Sequence, residues 1–440
     1  MRYFPHTDED IREMLAVVGA QSVDELFDAV PDDCRFAVPP DLPAPLTEWD
    51  LTRRAESLAR DAGGDWRVFL GAGSQAHHIP AVAPQLAGRS EFLTAYTPYQ
   101  PEMSQGTLQA IFEFQTLISR LTGLAVTNAS MYDGATAMAE AVLMAMRITK
   151  RRKVLVSRLA HPHWRQVLAT YLAPIDDAVI VELPAGPDGR TDLSSAEYAD
   201  AAVVVMQSPN FLGVIEDLSP VAEKAHASGC LLAAGFSEPF ALGLIKSPGA
   251  QGADIAFGDG QSLGLAQSFG GPSLGLLSAK AEHMRQIPGR LVGETVDNQG
   301  RRGFVLTLST REQHIRRGKA VSNICSNAGH AALSASVFMA AIGGTGFRKV
   351  ATLNRDLAEY FKAGLAGIGF TALSDAPTFN EFAMRAPQGF AAKHEALKRD
   401  RILAGMSLAA LYPELDGAWL FGVTETSGRE DIDSLVRRLA

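Results

Sequence analysis

The fold of this 440-residue chain is decided by one stretch, Ala253-Asp-Ile-Ala-Phe-Gly-Asp-Gly-Gln-Ser-Leu-Gly-Leu-Ala-Gln-Ser-Phe-Gly-Gly-Pro-Ser-Leu-Gly275. Its first part is apolar and ends at a glycine, so it predicts a short buried strand over 255–257. The residues that follow are rich in serine and glycine, which is typical of a loop. In open α/β sheets, ligands bind beyond the carboxyl ends of the strands. We therefore expect this loop to border a binding cleft.

Similar apolar runs come before this stretch, and segments with helical periodicity separate them. Strands are predicted at 153–157, 178–183, 202–206 and 230–234. Strands this apolar, with helices between them, indicate a mostly parallel sheet covered by helices on both faces. We predict an α/β fold in three parts: an N-terminal helical arm with extended loops over 1–105, a large α/β domain over 106–330 and a small α+β domain over 331–440.

A possible anion site lies in the turn before the helix that starts near Ala137. The turn contains Asp133, Gly134 and Thr136, and free backbone N–H groups at a helix start attract anions. A glycine before a helix is equally expected in any α/β protein. A vestigial phosphate turn and a purely structural turn therefore both remain open.

The loop after strand 255–257 has no amine where one particular chemistry requires it. In pyridoxal-phosphate (PLP) enzymes of the aspartate-aminotransferase-like architecture, which this pattern resembles, that loop carries the Schiff-base lysine, and here the slot holds Gln261. An amide cannot form an imine with an aldehyde. The loop after strand 230–234 would carry an acid for the pyridinium nitrogen, and that slot holds Gly235, while Glu238 is interpreted as a surface or capping residue. The sequence thus predicts a chain that cannot carry covalent PLP by itself.

Histidines mark two of the loops. His77 and His78 are adjacent, and neighbouring side chains rarely point at one ion, so we interpret them as packed or hydrogen-bonded and predict no metal site. Either His161 or His163 could stack on a pyridine ring or simply cap the helix that follows. Both interpretations are kept.

The segment 303–327 is dense in hydrogen-bond donors, among them Arg311, His314, Arg316 and Asn323. Such donors are expected near a carboxylate, a phosphate or a partner subunit. An exposed helix start explains them equally well.

Composition excludes several classes of partner and location. The net charge of -9 is spread along the chain, and its compact basic cluster is Arg151-Arg-Lys153, so we expect no nucleic acid partner and no membrane partner. Three widely spaced cysteines favour a reducing, cytoplasmic compartment. We expect no secretory signal, and no uncharged apolar stretch of the roughly 20 residues that a membrane span needs.

Several stretches together resemble the glycine cleavage system P-protein, specifically subunit 1 of its two-subunit form. They are Phe69-Leu-Gly-Ala-Gly-Ser, His77-His-Ile-Pro-Ala-Val, Tyr96-Thr-Pro-Tyr-Gln-Pro-Glu-Met-Ser-Gln-Gly-Thr-Leu-Gln, Asn128-Ala-Ser-Met-Tyr-Asp-Gly-Ala-Thr-Ala, Pro209-Asn-Phe-Leu-Gly-Val-Ile-Glu-Asp and Leu308-Ser-Thr-Arg-Glu-Gln-His-Ile-Arg-Arg. The chain departs from the commoner family pattern at Arg317-Gly-Lys-Ala-Val, where an acid and a threonine are usual. The resemblance therefore implies no role for that loop.

The resemblance implies a fold-type-I PLP-dependent transferase architecture in an α2β2 assembly. It also implies glycine dehydrogenase (aminomethyl-transferring) activity, in which glycine is decarboxylated and the aminomethyl group passes to the lipoyl arm of the H-protein. The sister subunit, P-protein subunit 2, would supply the lysine, the pyridinium acid and PLP, so this chain alone would be inactive. The residues implied to line a shared cleft are Tyr96, Tyr99, Gln100, Ser104, Arg316 and Asn323.

Two other functions are weighed against this one. The chain could be a structural scaffold that stabilises the sister subunit without touching substrate. It could also be a free-standing PLP aminotransferase or desulfurase, but the missing lysine counts against that function.

Overall fold

The structure is a computed structural model that describes residues 5–36, 38, 40–62 and 66–440. It forms two compact units, which meet in sequence between Asp65 and Trp66. The first unit contains helices α1 (Asp8–Val18) and α2 (Glu48–Asp61). Thr7 caps α1 through a reciprocal pair of hydrogen bonds with Asp10, because a threonine followed three residues later by an acid satisfies two free N–H groups. The predicted three-part division of the chain stays a prediction.

The second unit holds the other α-helices and the strands of the described chain. Its helices are α3 (Val82–Ala87), α4 (Gln105–Thr122), α5 (Gly134–Thr149), α6 (Pro162–Leu172), α7 (Ser219–Ala227), α8 (Gln313–Arg316), α9 (Gly329–Ala366), α10 (Phe390–Arg399) and α11 (Arg429–Leu439). Its strands are β1 (Arg67–Val68), β2 (Val126–Thr127), β3 (Lys153–Ser157), β4 (Val179–Leu183), β5 (Ala201–Gln207), β6 (Leu231–Phe236), β7 (Ile255–Asp259), β8 (Gly275–Ala279), β9 (Leu291–Val296), β10 (Arg302–Thr307), β11 (Thr371–Ala372), β12 (Glu381–Arg385), β13 (Ile402–Leu403), β14 (Met406–Ser407) and β15 (Ala418–Gly422).

The main sheet has seven strands in the order β2-β8-β7-β6-β5-β3-β4. The pairs from β4 to β7 are parallel, and β8 runs antiparallel to both β7 and β2. Alternate residues of one strand enter different cores: Val203 and Val205 pack with α5 and α6, whereas Val204 and Met206 pack with α7. Both faces are therefore buried, which explains why these strands are apolar throughout. The predicted mostly parallel sheet with helices on both faces is confirmed.

A smaller sheet of four antiparallel strands, β11-β12-β15-β14, packs on α10, α11 and the second half of α9. Strand β8 and the β9–β10 hairpin are not among the predicted strands. Helix α9 continues through the run Gly343-Gly-Thr-Gly, with a break at Gly343 (φ 62°). Glycine adopts this left-handed conformation without the cost that a Cβ would add.

Helix α9 is long and apolar enough, by length and composition, to cross a membrane, so the expectation that no such stretch exists is wrong. The break at Gly343 divides it. Before the break, Ala332, Ala335 and Phe338 lie in a core cluster together with residues of α4. A helix that supplies core residues can have the same length and apolar composition as a helix that spans a membrane.

Candidate functional site

The two slot residues lie at the carboxyl end of the main sheet, where β6 and β7 run parallel. Gly235 lies within β6 and not in the predicted loop, because the strand continues to Phe236. Gln261 follows β7 and is buried. Its Oε1 accepts a hydrogen bond from the backbone N–H of Gln75 (3.1 Å), and its Nε2 donates to the carbonyl oxygen of Leu265 (2.7 Å). Both ends of the amide are therefore held by the chain itself, and the slot contains no amine.

The turn before α5 already contains an anion. Asp133 caps the helix by accepting from the N–H of Thr136 (2.7 Å). Gly134 is the first residue of α5, and its N–H donates to Oδ2 of Asp259 at the end of β7 (3.1 Å). Burial raises the pKa of Asp259 to about 6, so this carboxyl is mainly ionised at neutral pH. This turn, for which a vestigial phosphate site and a structural role are both open, therefore holds a carboxylate of this chain.

Aromatic rings fill the space above the turn. The ring of His161 stacks on Trp164, with centroids 5.4 Å apart, and Trp164 also packs near Phe257. A Cβ at Gly134 would come within 2.3 Å of Trp164, and one at Gly235 within 2.5 Å of Phe257. The two glycines are therefore required by the rings packed against them.

His161 caps α6, so the structure decides between the two interpretations of this residue. Burial lowers its pKa to about 4, so the ring is neutral. Its Nδ1 accepts from the N–H of His163 (3.2 Å), which leaves Nε2 to donate to the carbonyl oxygen of Ala72 (2.9 Å). The ring is used in capping and packing.

A buried ionic cluster lies beside Gln261. His77, whose side chain is 2% exposed, donates through Nε2 to Glu238 (3.0 Å) and through Nδ1 to Glu425 (2.9 Å). Burial opposes protonation, but the carboxylates of Glu238 and Glu425 outweigh it and raise the pKa of His77 to about 10. Ser262 also donates to Glu238 (2.8 Å), and nearby Glu381 has a pKa that burial raises to about 7. We name His77, Glu238, Glu425 and Glu381 the buried ionic cluster.

The cluster corrects one prediction and extends another. Glu238 does cap the backbone, since it accepts from the N–H of Phe240 (3.0 Å), but it is buried and therefore not a surface residue. His77 is packed and hydrogen-bonded, as interpreted, whereas His78 is exposed and bonds only through its backbone N–H to Glu425. Among the described residues, no group of three His, Cys, Asp or Glu side chains is arranged to hold a metal ion. Sequence reasoning missed the carboxylates because Glu425 lies 348 positions from His77.

The structure brings the 96–104 loop next to the 309–327 segment. Tyr96, which is 88% exposed, shares a hydrogen bond with Ser326 (2.7 Å). The hydroxyl of Tyr99 accepts from buried Arg290 (3.1 Å), whose side chain also donates to Thr97 (3.1 Å). Sequence reasoning did not single out Arg290, which anchors this loop.

The other predicted cleft residues are placed less centrally. Asn323 accepts from Gln313 (3.1 Å) within its own segment, and Arg316 is exposed and donates to the carbonyl oxygen of Thr310 (3.1 Å). Gln100 is exposed, and Ser104 is half-buried where α4 begins. Of the predicted set, Tyr96 thus bonds from one segment to the other through Ser326, whereas Tyr99 bonds to Arg290 and Asn323 bonds within its own segment.

One donor in the 303–327 segment has a structural role. The guanidinium of Arg311 is buried and donates to the carbonyl oxygens of Ile287, Gly289 (3.0 Å) and Leu308 (3.1 Å). Burial lowers the pKa of Arg311 from its ordinary value. This arginine ties backbone segments together and is turned away from solvent.

Comparisons of sequence and of structure with known proteins point to the same family. A sequence model of the family described as the glycine cleavage system P-protein matches residues 1–439. The chain is 53% identical over 440 residues to the probable glycine dehydrogenase (decarboxylating) subunit 1 of Desulfotalea psychrophila, covering 99% of this chain and 98% of that one. It is similar to the crystal structure of glycine decarboxylase (P-protein) of the glycine cleavage system in inhibitor-bound form, with TM-score 0.91, 48% identity and coverage of 100% and 99%.

A more distant structure shows the fold alone. It is a C-DES variant with glycine covalently linked to its PLP cofactor, with TM-score 0.61, 15% identity and coverage of 86% and 96%. The predicted fold class, that of fold-type-I PLP-dependent enzymes, is confirmed.

Pyridoxal phosphate does not fit the corresponding place in this chain. The amide of Gln261 replaces an amine, and Gly235 with the Phe257 ring replaces an acid. The helix terminus that would receive a phosphate is occupied by the Asp259 carboxylate. An internal contact therefore occupies each of these three positions.

Proposed function

Since this chain belongs to the glycine cleavage system P-protein family, we propose that it acts as subunit 1 of a glycine dehydrogenase (decarboxylating), together with a sister subunit. The complex decarboxylates glycine and passes the aminomethyl group to the lipoyl arm of the H-protein. The sister subunit, P-protein subunit 2, holds PLP and supplies the lysine and the pyridinium acid. This chain contributes one wall of the cleft.

The observation that carries this proposal is the state of Gln261. Its amide oxygen bonds to Gln75 and its amide nitrogen bonds to Leu265, in the place where formation of a PLP imine requires an amine. Since an amide is not a nucleophile towards an aldehyde, the amine must come from another chain. The names of the relatives, which call them subunit 1, agree with a second chain.

The part of this chain best suited to the wall is the pair of adjoining segments 96–104 and 309–327. Tyr96 and Asn323 expose a hydroxyl and an amide there, and Arg290 holds the first segment in place from beneath. Hydroxyl and amide groups orient a small polar substrate by hydrogen bonds. We infer that these segments face the sister subunit and its substrate.

We also infer an α2β2 assembly, docking of the H-protein and a cytoplasmic location. The location is supported by three free cysteines in the described chain, of which Cys34 and Cys325 are exposed. Exposed thiols persist in a reducing compartment, where disulfides are rare.

The test is reconstitution with separately purified chains. The chain alone should give no release of CO2 from glycine, and addition of the sister subunit with PLP and lipoylated H-protein should produce it. Release of CO2 by this chain alone, or equal release by the sister subunit without it, would refute the proposal.

A scaffold role is the second candidate, and it is favoured by the hydroxyl of Tyr99 being bonded inside the chain. Tyr96→Phe and Tyr99→Phe separate the two roles, provided that the complex still forms by size-exclusion chromatography. A cleft role predicts a change in kcat or KM for glycine. Unchanged kinetics in both variants would support the scaffold.

A further inference from the structure

A carboxylate from the sheet sits at the N-terminus of a helix that already has its own cap. Asp259 is 8% exposed and accepts from the N–H groups of Gly134 (3.1 Å) and Gln261 (2.9 Å) and from the hydroxyl of Ser273 (3.0 Å). Asp133 meanwhile caps α5 in the ordinary way, by bonding to Thr136. Capping therefore does not account for Asp259.

The set of groups around Asp259 is that of a bound oxyanion. The donors that the described chain gives it are uncharged, two backbone N–H groups and one hydroxyl, and one belongs to the first turn of α5. Phosphates are bound in this manner at helix N-termini, where backbone N–H groups and the helix dipole replace a cation. A carboxylate offers two oxygen atoms to the same donors.

Two acids converge on this one terminus. Asp133 and Asp259 repel each other, and that repulsion helps to raise the pKa of Asp259, although burial contributes more. Two carboxylates near one helix start carry about the charge of a phosphate group, which is -1.5 to -2 at pH 7.

We propose that Asp259 is a tethered substitute for a phosphate group, which fills the anion site at the start of α5 and so excludes phosphorylated ligands, PLP among them, from this chain. The inference goes beyond the proposed function, because it concerns what closes this chain's own cleft and not what the complex catalyses. Two separate features would then keep PLP from this chain: position 261 has no lysine to form the imine, and the Asp259 carboxylate occupies the place of the phosphate.

The test uses inorganic phosphate and the full-length chain. Asp259→Gly removes the competing carboxylate and leaves the donors of Gly134, Gln261 and Ser273 in place. We expect this variant to bind one phosphate per chain, at least about tenfold more tightly than the wild type, in equilibrium dialysis with labelled phosphate; a tenfold change corresponds to about 1.4 kcal/mol. Phosphate should also raise the unfolding temperature of the variant and leave that of the wild type unchanged.

Glu216→Gly is the matched control. Glu216 is also buried, and it accepts from uncharged donors, namely the N–H (3.0 Å) and hydroxyl (2.9 Å) of Thr191 and the amide of Asn210 (2.9 Å). Its removal frees no N–H group of a helix terminus, so phosphate binding should not increase. Equal phosphate binding by the wild type and Asp259→Gly, or an equal gain in both glycine variants, would overturn the proposal.

A second variant keeps the test decisive if Asp259→Gly does not fold. Asp259→Ala also removes the carboxylate and leaves the donors of Gly134, Gln261 and Ser273 in place, but alanine costs less backbone entropy in a strand than glycine. We expect the same gain in phosphate binding and the same phosphate-dependent rise in unfolding temperature as for Asp259→Gly. A folded Asp259→Ala chain that binds no more phosphate than the wild type would overturn the proposal.

Discussion

Replacement of His77 by glutamine tests whether the buried ionic cluster controls the stability of the chain. In the wild type, the protonated ring donates to Glu238 and to Glu425, and its side chain is only 2% exposed. Glutamine occupies a similar volume but carries no charge. Two buried carboxylates would then lose their shared cation, and removal of one partner from a buried ion pair costs about 3–5 kcal/mol.

The magnitude can also be obtained from the pKa. A rise in the pKa of His77 from 6.5 to about 10 corresponds to about 5 kcal/mol of unfolding free energy, at about 1.4 kcal/mol per pH unit. Because the folded pKa is raised, this stabilisation is fully present below pH 6.5 and is lost as the pH rises through 10. The two routes agree on the order of magnitude.

The assay is urea unfolding followed by tryptophan fluorescence at about pH 7, 8 and 9. The difference in unfolding free energy between the wild type and His77→Gln should shrink by up to about 1.4 kcal/mol per pH unit, and by less where the buried carboxylates bind protons in the variant. His78→Gln is the control, because that side chain is exposed and the bond to Glu425 comes from its backbone. A difference that stays constant with pH would refute the reasoning.

Three further outcomes follow from the structure. Gln261→Lys alone should not give the visible absorbance of a PLP imine, because the carboxylate at the start of α5 still excludes the phosphate; imine absorbance would contradict this. Gly213→Ala should lower the free energy of unfolding, measured in urea, by more than about 2 kcal/mol, because its Cβ would lie 2.0 Å from the backbone of β12. Gly270→Ala is the control: it shares a positive φ but its Cβ meets no atom within 4 Å, so it should cost about 1 kcal/mol. Arg290→Lys should cost about 1–3 kcal/mol and speed proteolysis of the loop that it anchors, while Arg316→Lys at an exposed position should change neither.

Much of the fold could be predicted because its signals are local. The apolar runs of β3, β5, β6 and β7 are buried on both faces, so each run shows its strand without knowledge of its neighbours. Strand β8 was missed because five residues, Gly275-Leu-Leu-Ser-Ala, carry too little pattern to distinguish a strand from a loop. The break of α9 at Gly343 has no distinct local signal, because a left-handed glycine both ends helices and breaks them in the middle.

The sequence by itself determined the parallel sheet, the family and the absence of an amine at Gln261, because residue identity and short-range periodicity are enough for each. Only the tertiary structure decided that the helix start at Gly134 is filled by Asp259, 125 positions away, and that His77 donates one ring N–H to Glu238 and the other to Glu425. Whether a carboxylate is exposed, capping or paired in the interior depends on which distant segment packs on it. The cost of burying a charge can be offset only by a partner that folding brings within hydrogen-bond distance.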